Sequence, residues 1–323
     1  MKVAQRNRRE SVPMLPSMSS IVTRLRLRHL RLIIALAEHG TLIKAGDQVH
    51  MTQPGVTKAL QEIEAALGVT LFVRSNKGLT PNQLGHCVVR YAHLILADLT
   101  HLREEMLGVM QGHGGRLAVG TIMGAVPLVT QALAEVLEQQ PTLSIEVVED
   151  TSAQLLRLLE EGRLEAAVCR TSVSQRPDAY RSWFIQNESL AVVAHQAHPL
   201  ACAKSVGLVD LVSYRWVVYS ANMPMRLLWE REFHSAGLPL PTGIVETTSA
   251  FTTLSFLQRD PTMVALLSND VASFFEGFGI TARLPLELQS RSEPYLLVMR
   301  NDREPSVSAK LLLTAMVAQP MVS

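Results

Sequence analysis

The most specific chemistry in the sequence sits in Thr52-Gln53-Pro54-Gly55-Val56-Thr57-Lys58, with Gln61 one turn further on. Wound as a helix of ~3.6 residues per turn, Gln53, Thr57, Lys58 and Gln61 fall opposite Val56, Leu60 and Ile63. One face is then apolar, and the other carries amide, hydroxyl and ammonium groups with no carboxylate before Glu62. These are groups that read base edges: Gln pairs bidentately with adenine, Thr offers a hydroxyl and a methyl, and Lys binds guanine or phosphate. Taken alone, such a face is equally a solvated helix surface, so its meaning depends on the elements around it.

A second set is hydroxyl-rich. Thr121, Thr151-Ser152, Ser220 with Asn222, and Thr247-Thr248-Ser249 all stand where predicted strands end or helices begin. In an α/β sheet those edges face a crevice, and helix N-termini there present free N–H groups to small anions, carboxylates in particular. Each residue by itself reads as an N-cap; four groups at equivalent edges favour a cleft.

Catalytic constellations are weak. His195 and His198 are an i, i+3 pair followed by Pro199, which reads as a loop rather than a metal site. The sequence has no GxGxxG, GxxxxGK[ST], GxSxG or HExxH. The adjacent pairs Glu104-Glu105 and Glu160-Glu161 point to different helix faces. Cys87, Cys169 and Cys202 are too scattered for a disulfide framework or a CxxC metal site. The expectation is a chain with no catalytic residues, metal or cofactor, in a reducing compartment.

The elements that must hold the first constellation are short helices. Leu30, Ile33, Ile34 and Ala37 recur at helical spacing up to Gly40; Thr41 caps a second helix, and Thr52 a third with Pro54 in its first turn, closed by Gly68. The tight connection at His50-Met51, beside small Ala45 and Gly46, makes a helix-turn-helix. Residues 69–80 follow as two extended pieces around Asn76-Lys77-Gly78, a basic hairpin wing that includes Arg74. Beyond Pro81, the apolar positions Leu84, Val88, Tyr91, Ile95, Leu99, Leu102, Met106 and Val109 predict one long helix. Its stripe fits packing against a second copy of the chain; burial within its own domain is the other reading.

After Gly112-His113-Gly114-Gly115 the texture alternates. Strands are expected over 117–122, 143–148 and 166–169 with helices over 127–139 and 153–161, implying a parallel sheet. A further set follows, with strands near 190–194, 216–219, 244–247, 264–267 and 296–299 and helices near 224–236, 251–258 and 306–317. The 323 residues thus hold more than one core, and with no apolar run of about 18 residues no membrane span is expected. The net charge of +1 hides a split: residues 1–112 carry 14 Lys+Arg against 8 Asp+Glu, and the rest carry 16 against 21. A basic front suits a polyanion. Its start lacks the apolar stretch of a secretory signal, so a cytoplasmic location is expected.

The run Leu30, Ala37, Gly40-Thr41, Ala45, Val49, Thr52-Gln53-Pro54-Gly55-Val56-Thr57, Leu60, Ile63-Glu64, Leu67-Gly68, Leu71-Phe72-Val73-Arg74, Leu79-Thr80 and Gly85 resembles, in register over about 55 residues, the winged helix-turn-helix of LysR-type transcriptional regulators. Gly46 and Gly55 stand where that family usually has Ala, and Thr52 and Thr57 where it often has Ser. The resemblance implies an α/β chain with a disordered basic extension (1–23), a winged helix-turn-helix (24–81) and a linker or dimerisation helix (82–112). Two periplasmic-binding-protein-like lobes then follow (116–170 with 292–323, and 171–291). It implies DNA contacts from Thr52, Gln53, Pro54, Thr57, Lys58, Gln61 and Arg74, and an effector cleft with Gly124, Thr151, Ser220, Asn222 and Thr247. The implied partners are dyad-symmetric double-stranded operator DNA, a small carboxylate or sugar-related effector, a second chain and then a tetramer, and RNA polymerase. The competing class is a solute-binding protein or small-molecule enzyme on the same two-lobed fold.

Overall fold

The structure, a computed structural model, describes residues 15–75, 78–111, 115–221 and 223–318. Lys77 of the wing, the glycines at 112 and 114, and Asn222 fall outside them. A first compact unit runs to Arg103 and also takes in Glu160–Gly162. It contains α1 (Met18–Arg24), α2 (Leu27–His39), α3 (Leu42–Val49), α4 (Gln53–Leu67) and an antiparallel hairpin of β1 (Phe72–Ser75) and β2 (Gly78–Pro81). α5 (Gln83–Gln111) follows. The expected caps hold the expected ends: Gly40 and Gly68 close α2 and α4 in the left-handed conformation, and Thr41 and Thr52 accept hydrogen bonds from Lys44 N and Gly55 N. Leu32, Ile33, Leu36, Ala45, Val56, Ile63, Leu71 and Phe72 form one core beneath them.

The second unit is a pair of lobes, each built on a five-stranded sheet. In lobe I, β3 (Arg116–Thr121), β4 (Ser144–Glu149) and β5 (Ala166–Cys169) run parallel, with α6 (Val126–Gln139) and α7 (Ser152–Glu160) between them. The chain adds β6 (Tyr180–Gln186) and crosses into lobe II as β7 (Leu190–His195), α8 (Leu208–Leu211), β8 (Trp216–Val218), α9 (Pro224–Ser235), β9 (Val245–Glu246), α10 (Ala250–Arg259), β10 (Val264–Ser268), α11 (Asn269–Gly277) and β11 (Thr281–Arg283). It then returns as β12 (Tyr295–Arg300) and α12 (Val307–Ala318). The sheet orders are β4-β3-β5-β12-β6 and β11-β7-β10-β8-β9.

Three expectations change. Residues 18–23 are not a disordered extension: Ser17 caps α1, and half-buried Ile21 and Leu25 pack it down, Leu25 against the core of the first unit. A seven-residue helix is too short to persist without such packing. The lobe boundary does not fall at residue 170, because β6 pairs with β12 along its length and so belongs to lobe I. The sheets are mixed rather than parallel: β12 runs antiparallel to β5, and β7 to β10. A strand that re-enters a sheet from another lobe is not bound by the βαβ crossover that enforces parallel pairing.

Candidate nucleic-acid interface and ligand cleft

The helix-turn-helix is held by one close approach. His50 ends α3 at φ 57°, and Met51 N–H bonds to Gly46 O at 2.8 Å. At Gly46 a Cβ would lie 2.5 Å from Met51 O and 3.2 Å from Val56 Cγ2, so α3 and the turn meet at a distance that only glycine permits. This fixes where α4 begins. Val56, Ala59, Ile63 and Ala66 of α4 are buried, while Gln53, Pro54, Lys58 and Gln61 are exposed. Thr52 Oγ1 accepts Gly55 N–H, and half-buried Thr57 donates its hydroxyl to Gln53 O at 3.1 Å. The side chains of Gln53, Lys58 and Gln61 are left with no partner among the described residues, lying along an outward face ~12 Å long.

Two residues outside the expected contact set position the wing. Glu64 Oε1 accepts Leu71 N–H at 2.7 Å and Phe72 N–H at 3.3 Å, anchoring the start of β1 to α4. Asn82 bridges the other end, donating to Thr70 O at 2.8 Å and accepting Gly85 N–H at 2.8 Å as the cap of α5. Arg74, on β1, is exposed. Along α5 the apolar stripe is exposed at Leu84, Tyr91, Ile95, Leu99, Leu102 and Met106, the last two at 52% and 57%.

The second site is a crevice of 680 Å³ within the two-lobed unit. The predicted Gly124 and Thr151 line it; Ser220 and Thr247 do not, and Thr248 lines it instead. Thr247 spends its hydroxyl on Ser249 N–H and its own N–H on Val218 O, as a turn residue ahead of α10. Lobe I contributes Asp150, Thr151, Ser152, Arg170 and Ser172, and lobe II an apolar wall of Met223, Pro224, Met225, Leu227 and Leu228. Gly124 is another tight point, since a Cβ there would lie 2.5 Å from Tyr295 Oη and 2.7 Å from Glu188 Oε1.

The floor was not visible as a motif. Arg170 is 6% exposed and Glu188 3%, and they form a buried ion pair. Tyr295 donates its hydroxyl to Glu188 at 2.7 Å, and Arg170 Nη2 donates to Ser292 Oγ at 3.3 Å. Burial, then the Glu188 charge, raise Tyr295 far above the ordinary tyrosine range, which keeps that donor protonated. Glu188 lies between β6 and β7, and Ser292 between β11 and β12, so Arg170 is bonded to both strands of chain that pass between the lobes. Its Nε is buried without a partner among the described residues. Arg231 and Arg291 also line the crevice, exposed and without a carboxylate partner among the described residues. Arg170 was legible only as the residue that follows the expected strand 166–169.

The remaining candidates lie apart from both sites, and Cys87 and Cys202 are free and exposed. His195 and His198 each accept a loop N–H, from Ala197 at 3.0 Å and Leu200 at 3.1 Å, and no metal-holding cluster occurs among the described residues. Burial pushes the Cys169 thiol up to about 12. No helix among the described residues is long and apolar enough to cross a membrane.

A winged helix-turn-helix followed by a two-lobed ligand domain defines a DNA-binding transcriptional regulator with its own effector domain. Residues 27–86 match the bacterial regulatory helix-turn-helix protein, lysR family, and residues 110–320 the LysR substrate binding domain, so the chain belongs to the LysR family. It is 31% identical over 297 residues to the HTH-type transcriptional regulator GbpR of Azospirillum brasilense, covering 91% of this chain and 86% of that protein. It is 27% identical over 297 residues to PcaQ of Agrobacterium fabrum, covering 90% and 94%. In fold it is similar to full-length CbnR solved with its target DNA, at TM-score 0.58 and 20% identity, over 90% of this chain and 99% of that one.

Proposed function

We propose that the chain works as a homodimer, and as a tetramer of two such dimers, that grips a dyad-symmetric operator with paired α4 helices. A small anionic effector in the crevice would change that grip. The observation that carries the effector part of this reading is the crevice chemistry: among the carboxylates and hydroxyls that line a 680 Å³ space between two lobes, Arg231 and Arg291 are exposed with no carboxylate partner among the described residues, beside the ion-paired Arg170. An effector with a carboxylate, including a sugar-derived acid, suits those donors and the hydroxyls of Thr151, Ser152, Ser172 and Thr248. Occupancy shifts the population between lobe arrangements only by the effector's differential affinity for them. In this reading the chain acts in the cytoplasm, contacts RNA polymerase from the operator, and catalyses no reaction.

At the DNA, Gln53 and Gln61 supply base readout, Lys58 and Arg74 supply phosphate contact, and Thr52, Pro54 and Thr57 shape the helix entry. Half-sites would lie one helical turn apart, ~34 Å. Footprinting on the chain's own upstream region tests both halves of the proposal. Gln53→Ala should erase the difference between operator and random DNA, and Lys58→Ala should weaken both alike. An anionic metabolite that raises the melting temperature should also change the footprint. Protection unaltered by Gln53→Ala would remove the readout assignment, and a tightly bound effector that leaves the footprint untouched would remove the regulatory one.

A further inference from the structure

The shared DNA-binding module begins at residue 27, yet the chain builds α1 ahead of it. α1 packs on α4, and Pro16 closes on Gly68 at the far end of α4. Four arginines then fall within eight residues: Arg24 at the end of α1, Arg26 before α2, and Arg28 and Arg31 on the first turns of α2. All four are exposed, and none of their guanidinium groups has a partner among the described residues. No Asp or Glu occurs from residue 11 to residue 37. Like charges this close repel one another, and a polyanion brought to them relieves that repulsion.

The buried histidine of α2 shows where this charge lies. His29 is held below its ordinary pKa first by burial and then by the charge of Arg28, with Arg26 adding to it, while Glu62 of α4 acts in the opposite sense. Arg26 N–H donates to His29 Nδ1 at 3.3 Å, and α2 packs on α4, so the arginine segment is fixed beside that helix. Glu62 adjoins Gln61 on the outward side of α4. The segments that carry the arginines, α1 and α2, thus both pack on the helix that offers Gln53, Lys58 and Gln61 outward.

We propose that Arg24, Arg26, Arg28 and Arg31 form a second contact surface for the DNA backbone. It would lie outside the base-reading helix and bind phosphates that flank each half-site. The inference rests on the operator-binding reading and adds to it a sequence-independent grip built partly from residues ahead of the shared module. It also accounts for affinity in a domain whose residues 29–112 hold seven basic and seven acidic groups.

The test is fluorescence anisotropy on operator and random duplexes between 50 and 300 mM KCl, comparing the full chain with Arg26→Gln/Arg28→Gln and with Arg24→Gln/Arg31→Gln. Each phosphate contact adds about 0.9 to the slope of log affinity against log salt, so removing two per subunit should flatten a dimer's slope by about 3 to 4. The ratio of operator to random affinity should stay the same, and Arg26→Lys/Arg28→Lys should restore the slope. An unchanged slope in both Gln variants, with thermal melts like the parent's, overturns the proposal, as does a loss confined to the operator. A parent chain with no salt-dependent binding to either duplex would remove the operator reading itself, an outcome distinct from the loss of this surface alone.

Discussion

At the scale of single residues, Gly46 separates two accounts of an uncommon residue. Read from the sequence, Gly46 and Gly55 both soften helices that relatives build with Ala, at about 0.5–1 kcal/mol each. In the structure they differ. The nearest neighbours of a Cβ at Gly55 are Thr52 Oγ1 at 3.3 Å and Met51 Cε at 3.6 Å, both side-chain atoms, whereas a Cβ at Gly46 would run into backbone carbonyl oxygen. Gly46→Ala should therefore lower stability by about 1–3 kcal/mol through overpacking, and Gly55→Ala should be neutral or stabilising. Thermal melts check the order of the two variants, and a Gly46→Ala melt at or above the parent's would show that the turn relaxes freely. In the crevice, Arg170→Met leaves Glu188 buried and uncompensated, at a cost of about 3–5 kcal/mol. Adding Glu188→Gln should recover part of that loss, because the stranded charge and not the missing contact carries most of it. A double variant less stable than Arg170→Met would point to packing instead.

At the scale of elements, α5 makes the clearest demand. Its stripe of Leu84, Tyr91, Ile95, Leu99, Leu102 and Met106 stays exposed in the isolated chain, which favours pairing with another copy over burial within its own domain. Leu99→Glu/Leu102→Glu should yield monomers by light scattering and weaken operator binding by more than tenfold, since a dimer doubles every phosphate and base contact. A dimer of undiminished mass would move the interface elsewhere. Elements governed by local signals were legible in advance: the caps at Thr41 and Thr52, the Gly40 and Gly68 ends, the wing strands and α5 all lie where residue type placed them. Those decided by distant partners were not. β6 has an irregular burial pattern because it is an edge strand, recruited by β12 after a long excursion through lobe II. α1 depends on an apolar seat that its own seven residues do not reveal. The same limit applied to the crevice, where hydroxyls at strand ends marked the region, but the Arg170, Glu188 and Tyr295 floor joins residues up to 125 positions apart.

At the scale of the whole molecule, the near-zero net charge resolves into a basic front that meets DNA and an acidic remainder that carries the ligand cleft. The two tasks sit in different units of one chain, so regulation requires a coupling free energy between them, and such coupling is reciprocal. If an effector changes operator affinity by some factor, operator DNA must change effector affinity by the same factor, typically about 5–150-fold. Arg170 is the residue best placed to carry this coupling, because one guanidinium lines the crevice and bonds to both chain segments that cross between the lobes. Arg170→Lys keeps the positive charge, but its side chain is one atom shorter and falls short of the position from which Nη2 bonds both Glu188 and Ser292. It should retain effector binding within about tenfold while bringing the coupling factor close to one, measured by effector titration calorimetry with and without operator. Effector affinity that is the same with and without DNA in the parent chain would dismiss the coupled mechanism, whereas a full coupling factor in Arg170→Lys would dismiss only the part given to Arg170.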